Sequence, residues 1–187
     1  MTKKNRKRLA VFIDGSNFYF KLKSLEVKNI SRFNYRGLIE WLARGRNITK
    51  IGYYVGVVRA SARDVKGQKM RKAQINLFNF LGSRKQNIKV HRGYLMKNDG
   101  VYHEKAVDVK IAVDLLVGAY ENLYDDAVIV SSDTDLIPVM EKVKKLGKTI
   151  EYIGFGHEPS LALQTFATIS RLLIKDELEP FIYQEQL

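Results

Sequence analysis

The chain has 187 residues, 45% of them hydrophobic, which is enough to bury one substantial core but thin for two. It contains no cysteine, so disulfides, thiolate zinc sites and a cysteine nucleophile are excluded. Lys and Arg outnumber Asp and Glu by 32 to 20, a formal charge of +12 that attracts polyanions. Charge alone does not separate RNA, DNA and an anionic membrane, or any of these from a basic surface that serves solubility.

The sequence shows no sign of membrane insertion or export. No stretch approaches the roughly 20 apolar residues that a membrane helix needs. The basic start, residues 3–8, leads into an apolar run that is too short for a signal peptide. We therefore expect a cytoplasmic protein with no membrane partner.

Predicted strands and helices alternate along the chain. Short apolar runs predict strands at residues 9–13, 48–58, 127–130 and 149–153. Helical spacing predicts helices at residues 16–25, 35–43, 66–81, 107–120 and 136–146, the first capped by Ser16 or Asn17 and the last ended by Gly147. Residues 90–96 and 101–104 flank Asn98-Asp99-Gly100, a turn signal that predicts a hairpin. A short helix at residues 161–167 and a less defined tail follow. This alternation predicts an α/β domain whose mostly parallel sheet has helices on both sides.

Acidic clusters follow two of the predicted strands. Asp14 comes directly after the first strand, and Asp133 and Asp135 follow the strand at 127–130. In open sheets of this type, ligands bind outside the carboxyl ends of the strands, so these acids lie at the expected functional edge. Two readings stay open for each cluster. Asp-Gly is an ordinary turn, and Asp133 or Thr134 is an ordinary helix cap with Asp135 in the first turn, but the same carboxylates are also the oxygen ligands that Mg²⁺ or Mn²⁺ prefers.

A third acid, Asp108, begins a predicted helix that is apolar around nearly its whole circumference. We expect this helix to be largely buried, and a buried carboxylate needs a partner or a cation. The alternative is that Asp108 only faces the positive end of the helix.

Asp114 lies six positions further on and points another way, so we expect it to pair with Lys110 and to support the site without binding an ion. The histidines, including His91, show no metal-protease spacing, and we expect each at the surface or as a satisfied core residue.

Three motifs together resemble the NYN domain family, the LabA-like branch of the PIN-like nucleases. They are the segments at residues 11–18, 105–114 and 130–136, which occur in the order typical of the family. The resemblance implies a three-layer α/β/α PIN-like (Rossmann-like) domain over residues 9–175, between a basic tail at 1–8 and a C-terminal tail at 176–187. In two places the chain departs from the family pattern: Ser132 and Thr134 stand where relatives often have glycine, and Ala167-Thr168 stands where they often have Ala-Asp.

The resemblance also implies a metal-dependent endoribonuclease centre, with Mg²⁺ or Mn²⁺ as cofactor and RNA, preferably single-stranded, as substrate. Carried over by position, Asp14, Asp108 and Asp133 would hold the metal, Asp135 would assist, and Asn17 would orient a ligand or the substrate. Residues expected to contact the nucleic acid are Ser16, Lys105, Ser131, Ser132 and Thr134. The alternatives are a non-catalytic RNA-binding or adaptor module and a hydrolase of small phosphorylated substrates, although the large positive charge argues against the latter. A homodimer is possible in either case.

Overall fold

A computed structural model describes residues 6–98 and 101–183, with the side chains of residues 95–104 left out of the description. Its centre is a seven-stranded sheet in the order β4-β3-β2-β1-β5-β6-β7, in which every neighbouring pair is parallel except β3 and β4. The strands are β1 (Arg8–Asp14), β2 (Asn47–Val57), β3 (Lys89–Asn98), β4 (Val101–Lys105), β5 (Asp126–Val130), β6 (Thr149–Phe155) and β7 (Ile169–Leu173).

Helices cover both faces of this sheet because its central strands are apolar on both sides. Alternate residues of β1 point to opposite faces, so Leu9, Val11 and Ile13 join one core and Ala10 and Phe12 join the other. The first core is covered by α1 (Gly15–Ser24), α2 (Tyr35–Ala43), α3 (Val65–Leu81) and α7 (Lys175–Leu178), and the second by α4 (Val107–Tyr120), α5 (Ile137–Lys145) and α6 (Leu161–Phe166). The three-layer PIN-like α/β/α architecture predicted from the sequence is therefore confirmed.

The predicted strands and helices are present, and the structure adds strand β7 and helix α7, which were not predicted. The antiparallel pairing of β3 with β4 confirms the hairpin, while Asp99 and Gly100 of its predicted turn lie outside the described residues. Strand β7 was not predicted; it adds to the edge of the sheet beside β6. The segment beyond residue 175 contains α7, whose Leu178 is buried in the first core. No helix in the described ranges is long and apolar enough to cross a membrane.

The expectation that α4 is largely buried is wrong. Its face toward the sheet is buried, but Val109, Val113, Val117 and Tyr120 are between 44% and 66% exposed. In a three-layer domain an outer helix contacts the sheet on one side only, so its opposite face meets solvent whatever its composition. Apolar composition alone therefore did not reveal how α4 is packed.

At the amino edge of the sheet, Arg46 pairs with two buried carboxylates, Asp126 and Glu151, and Lys7 also pairs with Asp126 at 3.2 Å. The Arg46 guanidinium lies 3.2 Å from Asp126 and 2.7 Å from Glu151, and both acids are almost fully buried. The same guanidinium donates hydrogen bonds to the carbonyls of Leu42 and Ala43, at the end of α2. This side chain thus joins α2 to the first residues of β5 and β6.

We predict that Arg46→Met lowers the free energy of unfolding by about 3–5 kcal/mol, because it leaves the buried Glu151 carboxylate without a cation and the buried Asp126 carboxylate with only the largely exposed Lys7. Arg36→Met is the matched control: it removes a partly exposed pair with Glu40 and should cost no more than about 0.5 kcal/mol. Urea denaturation measures both. Adding Asp126→Asn and Glu151→Gln to Arg46→Met should restore much of the loss, and equal losses in the two single variants would contradict this account.

Candidate metal and nucleic-acid site

Asp14 lies at the junction of β1 and α1 and accepts hydrogen bonds from two neutral groups. It is 6% exposed, and its carboxylate accepts hydrogen bonds from the backbone N–H of Asn17 at 3.0 Å and from the Ser131 hydroxyl at 3.0 Å. Asp14 is therefore the N-cap of α1, whereas the sequence had suggested Ser16 or Asn17. Ser16 and Asn17 lie in the first turn of the helix instead, half-buried.

Gly15 has a specific steric role beside this carboxylate. The Tyr53 ring occupies the space that a β-carbon on Gly15 would need, and the Tyr53 hydroxyl donates to the Gly15 carbonyl at 3.1 Å. A larger residue at position 15 would displace either the ring or the start of α1. Sequence reasoning missed this role of Tyr53, since only the pairing of β1 with β2 brings the two residues together.

The second acidic cluster follows β5 and is bonded to the first. Ser131 is buried, and its hydroxyl accepts from the backbone N–H of Asp133 at 3.1 Å while it donates to Asp14. The Ser132 hydroxyl donates to the side-chain oxygen of Asn17 at 3.3 Å. The loops that end β1 and β5 are thus joined by a continuous chain of hydrogen bonds. The cause is the register of the sheet, in which Ile13 pairs with Val130 and the residues after them become neighbours.

Asp133 and Asp135 occupy the start of a short 3-10 turn. Asp133 is the N-cap and accepts from the backbone N–H of Asp135 at 2.8 Å. Asp135 and Thr134 are exposed, whereas Asp133 is half-buried. Neither Asp133 nor Asp135 forms a salt bridge within the described ranges, so both carboxylates are held without a cationic side chain.

Asp108 lies at the same edge of the sheet but on the other side of β1. It is the second residue of α4 and is half-buried. The preceding Val107 packs against Gly93 of β3, so closely that a β-carbon on Gly93 would lie 2.6 Å from the valine methyl group. Helix α4 therefore starts beside the middle of β3, level with the carboxyl end of β2, where Gly56 pairs with Gly93. It packs against β1, β2 and the 3-10 turn that carries Asp135. Lys105, the last residue of β4, is exposed just before it.

The side chains at this edge are of the type that binds a hard cation, but they are not arranged as a complete set of ligands. The hydrogen-bonded acids, hydroxyls and amide present oxygen atoms, which Mg²⁺ and Mn²⁺ prefer. However, no three acidic or histidine side chains among the described residues are grouped closely enough to hold an ion together. Mg²⁺ commonly keeps several waters and uses only one or two carboxylates, so a hydrated ion does not require a cage of three. The arrangement is thus compatible with Asp14 and Asp133 as principal ligands.

Asp114 pairs with Lys110, as the sequence predicts, and has further partners on β2. It lies 3.5 Å from Lys110 and 3.1 Å from Lys50, and it accepts a hydrogen bond from the Tyr54 hydroxyl at 2.9 Å. Partial burial raises the pKa of its carboxyl, but the hydrogen bonds from Tyr54 and Lys50 outweigh burial and hold that pKa below its ordinary value. These contacts hold α4 to β2.

His91 packs into the same cluster as a buried ring. It stacks on Tyr54 with ring centroids 4.4 Å apart, and its Nδ1 lies 3.3 Å from Asp114. Burial lowers the pKa of His91 to about 4, with Lys50, Lys89 and Lys110 acting in the same direction and Asp114 opposing them. The other ring nitrogen, Nε2, is buried without a hydrogen-bond partner in the described part of the chain. His91 is a core residue, as expected, but it is only partly satisfied.

We predict that His91 makes the fold less stable as the pH falls from about 6.5 to about 4. Between these pH values His91 is protonated in the unfolded chain but remains neutral in the folded chain. The free energy of unfolding should fall by up to about 1.4 kcal/mol per pH unit from this residue alone. His91→Phe keeps a ring on Tyr54 and should remove this component in urea titrations between pH 7 and 4.5. An identical pH slope in the two proteins would contradict the prediction.

Comparison with known proteins supports this fold. The chain matches the NYN domain family over residues 8–171. A protein of unknown function from Vibrio parahaemolyticus, VPA0982, has a similar crystal structure, with a TM-score of 0.63 and 17% sequence identity over 94% of this chain and 98% of that one. That likeness concerns the fold alone. No curated protein matches. Because the family match covers most of its length, the chain belongs to the NYN domain family.

Proposed function

We propose that the protein is a metal-dependent ribonuclease that hydrolyses phosphodiester bonds of single-stranded RNA. Membership of the NYN family already indicates a PIN-like, nuclease-type domain with an RNA-related role. The observation that carries the finer proposal is the hydrogen-bonded junction of Asp14, Ser131 and Asp133 at the carboxyl ends of β1 and β5. This is the point where the strand order reverses, at which open α/β sheets bind their ligands.

In this proposal Asp14 and Asp133 hold the ion, and Asp108 and Asp135 contact it directly or through water. The PIN-like nucleases generally use divalent metals, and a bound Mg²⁺ or Mn²⁺ lowers the pKa of a water and stabilises charge on the leaving oxygen. In this proposal the surrounding protein residues position the metal ligands and the substrate. Ser131 fixes the orientation of Asp14, and Ser132 occupies the side-chain oxygen of Asn17, which turns the Asn17 amide N–H groups toward a phosphate oxygen or water.

Basic and aromatic side chains at the same edge support RNA as the substrate. Arg59 follows the carboxyl end of β2, and its guanidinium lies 5.4 Å from the ring centroid of Tyr94, which is 55% exposed. An exposed ring of this kind is a stacking platform for a base. The first turns of α3 expose four more cations that can follow a phosphate backbone: Lys66, Lys69, Arg71 and Lys72. An extended single strand can reach a partly buried acid such as Asp14 more easily than a duplex can.

A second candidate is a non-catalytic RNA-binding or adaptor module. The specific observation in its favour is that the described acids form no three-ligand group. Asp14 and Asp133 also have structural duties as caps, which explain their presence without any ion. Both candidates share the basic surface, so RNA binding alone does not distinguish them.

We predict that Asp14→Asn and Asp133→Asn each lower RNA cleavage in Mn²⁺ by roughly 10²-fold or more, since each removes a charge at the proposed ion. Asn caps helices about as well as Asp, so both variants should fold and still bind RNA in EDTA. Asp176→Asn, an exposed acid in α7, is the matched control and should cleave like wild type. Cleavage is measured on labelled single-stranded RNA. Equal cleavage by all four proteins would reveal a contaminant, and binding without cleavage by any would favour the adaptor.

A separate prediction concerns Asp108, which lies across β1 from the hydrogen-bonded junction. If it contacts the ion directly or through water, Asp108→Asn should raise the Mn²⁺ concentration needed for half-maximal thermal stabilisation by roughly tenfold. If it only faces the positive end of α4, the variant should bind Mn²⁺ as wild type does and lose no more than about 1 kcal/mol of stability. Thermal unfolding across a Mn²⁺ series measures both quantities.

A further inference from the structure

A surface cavity of about 690 Å³, which we call the flank cavity, lies beside the start of α2 and the end of α3. The residues on which the argument rests are Arg32, Arg36, Phe80, Arg84, Lys85 and Tyr183. None of the acidic residues proposed to bind metal lines it. The cavity is therefore a separate feature of the first helical layer.

The walls of the flank cavity are strongly cationic. Four basic side chains line it against a single carboxylate, Glu40, which pairs with Arg36 at 2.7 Å. Arg84 and Lys85 are exposed and form no salt bridge with any described residue. Unpaired cations that converge on a concave surface favour an anionic ligand.

The floor of the cavity is fixed by hydrogen bonds that are already complete. Gln86 is 5% exposed, and its side-chain oxygen accepts from the backbone N–H of Arg36 at 2.9 Å. The Asn34 side chain accepts from the backbone N–H of Gly37 at 2.9 Å. These two backbone donors of the first turn of α2 are thus occupied within the protein. The charged donors that remain for a ligand are the guanidinium and ammonium groups of the walls, which suit phosphate.

Aromatic groups accompany these cations. The Arg32 guanidinium lies 5.2 Å from the ring centroid of Tyr183, which is 42% exposed, and Phe80 adds a second ring to the lining. Rings and a guanidinium plane beside phosphate-binding groups are the combination that holds a nucleotide, because the base stacks while the phosphate is paired.

We propose that the flank cavity binds one nucleotide unit, with its phosphate on Arg84 and Lys85 and its base against Tyr183 and Arg32. The inference rests on the proposed action on RNA and deepens it. Helix α3 starts after the carboxyl end of β2 and reaches the cavity about 25 Å later, as its 17 residues at 1.5 Å each require. A strand that crosses the acidic junction and passes the cations of the first turns of α3 would have to extend along the rest of the helix to reach Arg84 and Lys85, which makes binding depend on RNA length.

The test measures separately, in EDTA, the binding of labelled oligoadenylates of three and fifteen nucleotides and of labelled AMP. Arg84→Ala/Lys85→Ala should weaken binding of the longer RNA about tenfold or more and reduce its salt dependence, since two phosphate contacts are lost. Tyr183→Ala should weaken it about tenfold through lost stacking. The matched control, Lys142→Ala/Lys145→Ala, removes the same charge from exposed positions on α5 in the opposite layer and should change binding less than twofold.

The outcomes separate the two possible sources of the nucleotide. Loss confined to the fifteen-nucleotide RNA assigns the cavity to a strand, and loss of AMP binding with unchanged RNA binding assigns it to a free nucleotide. The proposal is overturned if the Arg84/Lys85 variant binds every probe as the control variant does. The binding assay contains no divalent ion and does not measure cleavage. Its result therefore holds even if the protein proves not to be a nuclease. If the wild-type protein cleaves RNA but the cavity variants bind RNA and AMP normally, only the cavity proposal is contradicted, and the proposed ribonuclease function is not.

Discussion

The parallel pairing of β1 with β5 is the constraint on which the candidate site depends. Ile13 pairs with Val130 in the central register, so the next residues of each strand, Asp14 and Ser131, emerge side by side. The strand order reverses at this point, and the helices that follow β1 and β5 cover opposite faces of the sheet. The crevice between them lies over the strand ends, where open α/β sheets bind ligands. A shift of one residue in this register would separate the two clusters and turn each side chain to the other face.

No three acids are grouped among the described residues. Because short apolar runs followed by polar turns are easily read as buried strands, the sequence did predict that the loops after β1 and β5 meet at one edge of the sheet. It did not predict which residue caps α1, since Asp, Ser and Asn are all good caps and the choice depends on backbone angles at Asp14. It also missed β7, whose first residues, Ile169 and Ser170, are exposed at the sheet edge and carry no buried run. Its error about α4 has the same origin: composition describes a side chain, while burial depends on what packs against it.

Acids at the two edges of the sheet differ in how their charge is balanced. At the amino edge Asp126 and Glu151 are bound by Arg46, and a carboxylate occupied by a guanidinium is not available to an ion. At the carboxyl edge Asp133 accepts from a backbone N–H and belongs to no described salt bridge. The sequence offers no sign of this difference, because Asp126 and Glu151 also lie in apolar strands. The partner residue, distant in sequence, decides which acids serve stability and which can serve chemistry.

Capping and metal binding are not competing explanations for Asp14. The hydrogen bonds from Asn17 and Ser131 fall on different oxygens of the carboxylate, and a carboxylate oxygen that accepts one hydrogen bond can still bind a cation. These bonds fix the rotamer and aim the group along the sheet edge, which is the preorganisation that an ion site needs. An Asn at this position would keep the cap and lose the charge. The structural role of Asp14 is therefore a means of orienting the charged oxygens, and it does not count against a role in chemistry.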